Sequence, residues 1–149
     1  MKTFSKLIIV GFICSVMLYC QNSFDSDQTT KPIMFFSLTS NPLVDAHSMT
    51  MAFQLANHAL EDGRTVVLFF NVKAVTIPTK DFDENIAFHA QPIKQLLADL
   101  ITKGAYVHVC PHCMEALGVK PEDLITGAKV TTRSELFSFI TPQTVVFTY

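Results

Sequence analysis

The sequence predicts an α/β fold: a single three-layer domain whose mostly parallel five-stranded sheet carries helices on both faces. Three observations point there. Five short runs rich in Val, Ile and Phe recur along the chain, and they are apolar throughout rather than alternating, as strands buried on both faces are. Segments of helical periodicity separate these runs. A glycine or proline stops most helical segments just before the next strand opens.

The chain has 149 residues, enough for one domain with a sizeable core. It divides into residues 1–20, 21–31 and 32–149. The first stretch reads as a signal peptide. Lys2 and Lys6 form a basic start, and Leu7 to Leu18 is an apolar run shorter than a comfortable bilayer span. Cys20 closes that run and resembles the lipid-modified residue of a bacterial lipoprotein, although Tyr19 stands where a small residue is usual. Ordinary cleavage nearby and retention as an uncleaved anchor are the alternatives. Cys14 lies inside the apolar run and carries no chemistry in a processed chain. Residues 21–31 are polar and read as a tether. The expected location is therefore outside the cytoplasm, periplasmic or as a membrane-anchored lipoprotein, with the membrane engaged only through the N-terminus.

Within residues 32–149 the elements follow in order. Ile33 to Leu38 is the first strand, and Thr39 to Pro42 a turn. Asp45 caps a helix reaching to about Asp62, with Met49, Ala52, Phe53, Ala56, Ala59 and Leu60 at helical spacing and Gly63 as its stop. Thr65 to Val72 is the second strand. Thr76 to Asn85, with Pro78 and mixed charges, reads as a loop at a strand's carboxyl end, where α/β proteins place function; a plain surface loop is the bland reading. A helix over Ile93 to Lys103 aligns Ile93, Leu97, Leu100 and Ile101, and Gly104 ends it. Ala105 to Val109 is the third strand, followed by a helix from Pro111 to Gly118 and a helical turn over Pro121 to Ile125. Ala128 to Thr132 is the fourth strand. Ser134 caps a short helix that Pro142 breaks, and Thr144 to Tyr149 is the last strand.

The chemistry concentrates where the third strand meets its helix. Cys110 falls at the strand's carboxyl end and near a helix N-cap, and Pro111 suits the first helical position because its missing N–H would have no partner there. Unpaired N–H groups and the positive end of the helix dipole lower a cysteine pKa, and the thiolate is the form that attacks sulfur or binds metal. Cys113 stands three residues on, and the two form a Cys-Pro-His-Cys pair. The competing reading is that both cysteines only pack. His112, when protonated, favours a neighbouring thiolate; otherwise it is an exposed first-turn residue. His108 shares a strand face with Cys110 and reads as a packed, hydrogen-bonded histidine. His89 follows the long loop, and His47 and His58 read as helix-surface residues. Thr39, Ser40 and Asn41 fall at the same sheet edge as Cys110, so these segments together wall a site around the thiol.

Several classes are disfavoured. The net charge is −2, and loss of Lys2 and Lys6 with the leader takes it to about −4, with no Lys/Arg cluster, which argues against nucleic acid as a partner. No glycine-rich phosphate cradle, Ser-His-Asp arrangement or usefully spaced carboxylate pair is present, so no organic cofactor is expected. Copper or zinc on Cys110, Cys113 and either His108 or His112 falls short of four ligands, or of three plus water. Cys-Pro-His-Cys also occurs in oxidising thioredoxin-fold enzymes, but there it follows the first strands, whereas here most of the domain precedes it.

Gly104, then Val107-His-Val-Cys110, then Cys113-Met-Glu-Ala-Leu-Gly118, then Asp123-Leu-Ile-Thr-Gly-Ala128, resembles the DsrE/DsrF-like family. The likeness runs from the first strand near Ile33 to Tyr149 and is densest from Gly104 to Ala128. The resemblance implies a mostly parallel sheet between helices, sulfur carried as a persulfide on the cysteine at the Cys110 position, and assembly into trimers or hexamers. It also implies a thiol or sulfur-carrier protein as partner. Cys113 is similar to a second cysteine found in some relatives. The leader departs from the cytoplasmic relay members, which turns the expectation toward extracytoplasmic sulfur or thiol-redox handling through Cys110, Cys113 and His112. Two rivals stand beside it: a binding module for a soft metal or small ligand, without turnover, and an assembly domain whose cysteines only pack.

Overall fold

The computed structural model of the protein describes residues 31–149. Residues 1–30, on which the expected signal peptide, Cys14, Cys20 and most of the expected tether fall, lie outside the described residues. Among the described residues no helix is long and apolar enough to cross a membrane.

Five parallel strands build the main sheet: β1 (Met34–Leu38), β2 (Val66–Phe70), β5 (Tyr106–Val109), β6 (Ala128–Val130) and β7 (Val145–Thr148), in the spatial order β6-β5-β2-β1-β7. A two-stranded antiparallel hairpin, β3 (Ala87–Phe88) with β4 (Gln91–Pro92), stands apart from it. The helices are α1 (Ala46–Glu61), α2 (Ile93–Thr102), α3 (Pro111–Leu117) and α4 (Arg133–Ser138), with 3₁₀ turns at Val72–Thr76 and Pro121–Asp123.

The strand order dictates the layers. From β1 through β2 and β5 to β6 each step moves the same way across the sheet, so right-handed crossovers lay α1, α2 and α3 on one face. The return from β6 to β7 moves the opposite way and puts α4 on the other face. The side chains agree. Phe36 and Leu38, Val66, Leu68 and Phe70, and Val107 and Val109 point into the core shared with Met49, Phe53 and Ala56 of α1, Leu97 and Leu100 of α2, and Met114 of α3. Across the sheet, Phe139 at the end of α4 packs on Tyr106 and His108 at centroid separations of 5.2 and 5.3 Å.

α1 matches its sequence signals at both ends. The Asp45 carboxylate accepts the Ser48 N–H at 2.9 Å, and Gly63 takes φ +72 just past Asp62. α4 corrects an expectation. Its cap is Thr132, not Ser134: Thr132 Oγ1 accepts the Glu135 N–H at 3.2 Å, and the Glu135 carboxylate accepts the Thr132 N–H at 3.0 Å. The reciprocal pair needs a Glu three residues after the hydroxyl, which Thr132 has and Ser134 lacks. The second strand is also shorter than its apolar run, because Val72 leaves the sheet with φ +50 and opens a 3₁₀ turn.

The candidate thiol site

β5 ends by delivering Cys110 to the edge of the sheet. The Cys110 N–H continues the ladder, donating to the Phe70 carbonyl at 2.9 Å, and its own carbonyl accepts the Met114 N–H at 3.0 Å as the first bond of α3. Cys110 is therefore both the last ladder residue and the N-cap of α3, with Pro111 at N1. Gly118 closes the helix with φ +69.

Cys113 lies one turn along α3. Cα atoms three apart along a helix stand about 5 Å apart, inside the Cα span that a disulfide bridges. Both cysteines are free thiols and half-buried against the core edge. The Cys113 sulfur accepts the backbone N–H of Val72 at 3.1 Å. Burial pushes the Cys113 thiol up, the Val72 N–H pulls against it, and the adjacent Cys110 sulfur adds to the rise; burial and Cys110 together prevail. Cys113 thus holds its proton in the resting state.

The other residues singled out in the sequence divide by location. His112 sits between the two cysteines in sequence, exposed, and its side chain makes no hydrogen bond among the described residues. His108 is fully buried on the α4 face of the sheet. Its Nδ1 lies 3.1 Å from Thr131 Oγ1. The Thr131 hydroxyl also lies 3.2 Å from the Thr132 carbonyl, and the other ring nitrogen, Nε2, is buried without a hydrogen-bond partner among the described residues. Burial lowers the His108 pKa, Lys129 lowers it further, and Glu135 opposes them. Thr39 and Ser40 tie off β1 against β7: both of their N–H groups, at 2.6 and 3.3 Å, and Thr39 Oγ1, at 2.8 Å, reach the Tyr149 carbonyl. Asn41 folds back on its own turn, accepting the Leu43 N–H at 3.1 Å. His89 sits at the β3–β4 hairpin tip, edge-on to Phe88, which stacks on His47 at 4.0 Å. His58 pairs with Glu61 on the α1 surface.

The site is thus two sulfurs and the loop after β2. Among the described residues no group of three or more His, Cys, Asp or Glu side chains converges as metal ligands would. A cavity of about 430 Å³ lies between α1 and α2, lined by Phe53, Asn57, Leu100 and Lys103, and includes neither cysteine. Val72 and Thr131 escaped the sequence reading. Val72 continued an apolar run and so read as strand; Asn71, poor in strands, was the available sign of the break. Thr131 carried no signal beyond a strand-end hydroxyl.

The chain belongs to the DsrE/DsrF-like family, whose model matches residues 34–149. The protein MJ0989 of Methanocaldococcus jannaschii is 34% identical over 98 residues, spanning 66% of this chain and 83% of that one. The crystal structure of the YchN protein from E. coli superposes with a TM-score of 0.58 at 22% identity, covering 79% of this chain and 100% of that one, and shows the same fold.

Proposed function

We propose that this protein handles sulfur outside the cytoplasm through the Cys110–Cys113 dithiol, with Cys110 as the entering nucleophile and Cys113 as the resolving thiol. The observation that carries the reading is the pairing itself: two free thiols one helical turn apart, one at the sheet edge and one whose sulfur accepts the Val72 N–H. Cys110 attacks a disulfide or a sulfane sulfur carried by a partner thiol protein. The bond made is Cys110–S–S–R, or the persulfide Cys110–S–SH; the partner's other sulfur leaves with the electron pair and takes a proton. Cys113 then loses its proton and attacks Cys110, closing a Cys110–Cys113 disulfide and releasing RS⁻, or HS⁻ from the persulfide. His112 flanks both sulfurs in sequence and would favour the Cys110 thiolate when protonated.

Export and anchoring through the leader and Cys20 belong to the same reading, since a dithiol cycles to disulfide in an oxidising compartment. Self-association is part of it too. The α4 face of the sheet is thinly covered: Tyr106 is 49% exposed, Val146 55% and Phe137 61%. Such an apolar face suits burial against a second copy.

Mass spectrometry of the native protein tests the proposal. A persulfide on Cys110 or a Cys110–Cys113 disulfide is expected, with preferential alkylation of Cys110 after reduction. Neither species, together with equal alkylation of the two cysteines, would count against it. Stoichiometric Cu(I) or Zn binding that disappears in Cys110→Ser would favour the rival binding module instead.

A further inference from the structure

We infer that the backbone N–H of Val72 is the donor that receives negative charge on the Cys113 sulfur during exchange, which makes the loop after β2 part of the reacting site. The inference rests on the dithiol reading above.

The contact is direct, N–H to sulfur at 3.1 Å, and it comes from a residue in an unusual state. Val72 has φ +50. A β-branched residue rarely adopts the left-handed region, because its Cβ crowds the carbonyl. The valine side chain does not pull the backbone there by burial, since it is 53% exposed. The neighbouring loop bonds hold it instead. The Asn71 N–H donates to the Leu38 carbonyl at 2.9 Å, and its side-chain amide donates to Ser37 Oγ at 3.1 Å. The Asn71 carbonyl accepts the Ala74 N–H at 3.0 Å, and Ala74 and Val75 are fully buried. The peptide joining Asn71 to Val72 is thus fixed on the Asn71 side by β1 and on the Val72 side by the 3₁₀ turn. Its N–H is aimed at one acceptor, the Cys113 sulfur. Strain kept in place by surrounding bonds is the signature of a functional backbone position.

The chemistry needs such a donor on Cys113. In the closing step Cys113 gives up its proton, its sulfur attacks Cys110, and the Cys110–SR bond breaks with RS⁻ leaving. In the reverse direction a partner thiolate attacks Cys110 and Cys113 leaves as the thiolate. Either way the Cys113 sulfur is briefly anionic in a half-buried place, and a preorganised N–H stabilises it as an oxyanion hole stabilises oxygen.

Two measurements on the full-length protein test this. In Cys110→Ser, the Val72 amide proton is followed by NMR while Cys113 is titrated. It is expected to move downfield with the midpoint of Cys113 alkylation; an amide that ignores the titration overturns the inference. Secondly, an amide-to-ester exchange at Val72 removes the N–H and leaves the side chain. Closure of the Cys110–Cys113 disulfide by a small disulfide oxidant is expected to slow by about 10- to 100-fold, the range for a hydrogen bond to a charged group. Equal rates overturn the inference while leaving the dithiol reading intact. If the unmodified protein forms no Cys110–Cys113 disulfide across a redox-buffer series, the dithiol reading fails, and the amide titration still reports on Val72. That titration uses the natural backbone, so it stands even where the ester disturbs folding.

Discussion

The Cys110 N–H donates to the Phe70 carbonyl at 2.9 Å, so the thiol-bearing residue belongs to the sheet's hydrogen-bond ladder as well as to the helix it caps. A thiol held this way has a backbone position set by β2 and β5, two strands of the sheet interior. The same two strands decide where the loop carrying Val72 begins. The geometry between the cysteines and that loop is a property of the scaffold.

The two cysteines should therefore differ in reactivity. Because burial and the Cys110 sulfur raise the Cys113 pKa, its alkylation by iodoacetamide should have a midpoint above the ordinary thiol value of 9.0. Cys110→Ser removes one of the raising causes and should bring that midpoint down. Peptide mapping across pH checks both.

His108 should make stability fall in mild acid. Its folded pKa is lowered, so the unfolded state binds the proton more readily. The stabilising contribution is complete above the unfolded value near 6.5 and is lost as pH falls toward the folded value. Urea unfolding should show a slope of up to about 1.4 kcal/mol per pH unit from this one group below that point. His108→Phe should flatten the slope, and an unchanged slope would remove His108 as its source.

Gly127 should resist replacement. It has φ +92, and a Cβ there would stand 2.5 Å from Ile101 Cγ2. Gly127→Ala should cost about 2 kcal/mol or more, joining an unfavourable backbone to an overpacked contact. A change in the unfolding free energy from urea smaller than about 0.5 kcal/mol would contradict the crowding, being the range of unremarkable surface substitutions.

Thr132→Ala should loosen α4, at a cost of about 1 kcal/mol for a lost N-cap. The Lys129 ammonium, then the Thr132 N–H and hydroxyl, hold the Glu135 carboxyl down to about 2. The stability linked to Glu135 is thus present above its ordinary value of 4.5 and lost as pH falls toward about 2. The alanine variant keeps Lys129 but loses the hydroxyl, so its acid unfolding should begin at a higher pH; coincident acid curves would show that the cap does not hold this carboxylate.

Much of the architecture was legible from residue order. Asp45 and Gly63 bracket α1 by cap chemistry and a left-handed glycine, and both signals are local. Cys110 as N-cap with Pro111 behind it was equally readable. What escaped depends on contacts distant in sequence. Val72 looks like the end of an apolar strand, and only bonds from Asn71 to β1 turn it out of the sheet. The β3–β4 hairpin was hidden because His89 and Ala90 form its turn at φ +47 and +59, where Asn-Gly would be the recognisable pair. The partner of His108 comes from a strand-end threonine 23 residues away, which no spacing rule indicates.

The position of β7 has a consequence for how the molecule acquires its shape. Thr39 and Tyr149 are joined across 110 residues, so β1 can find one flank early and must wait for the other until Val145 to Tyr149 have been made. Pairings of that span are slow because the intervening loop must close first. During synthesis β1 would thus present an unzipped margin, Phe36 included, up to the moment Val145 to Thr148 arrives to cover it.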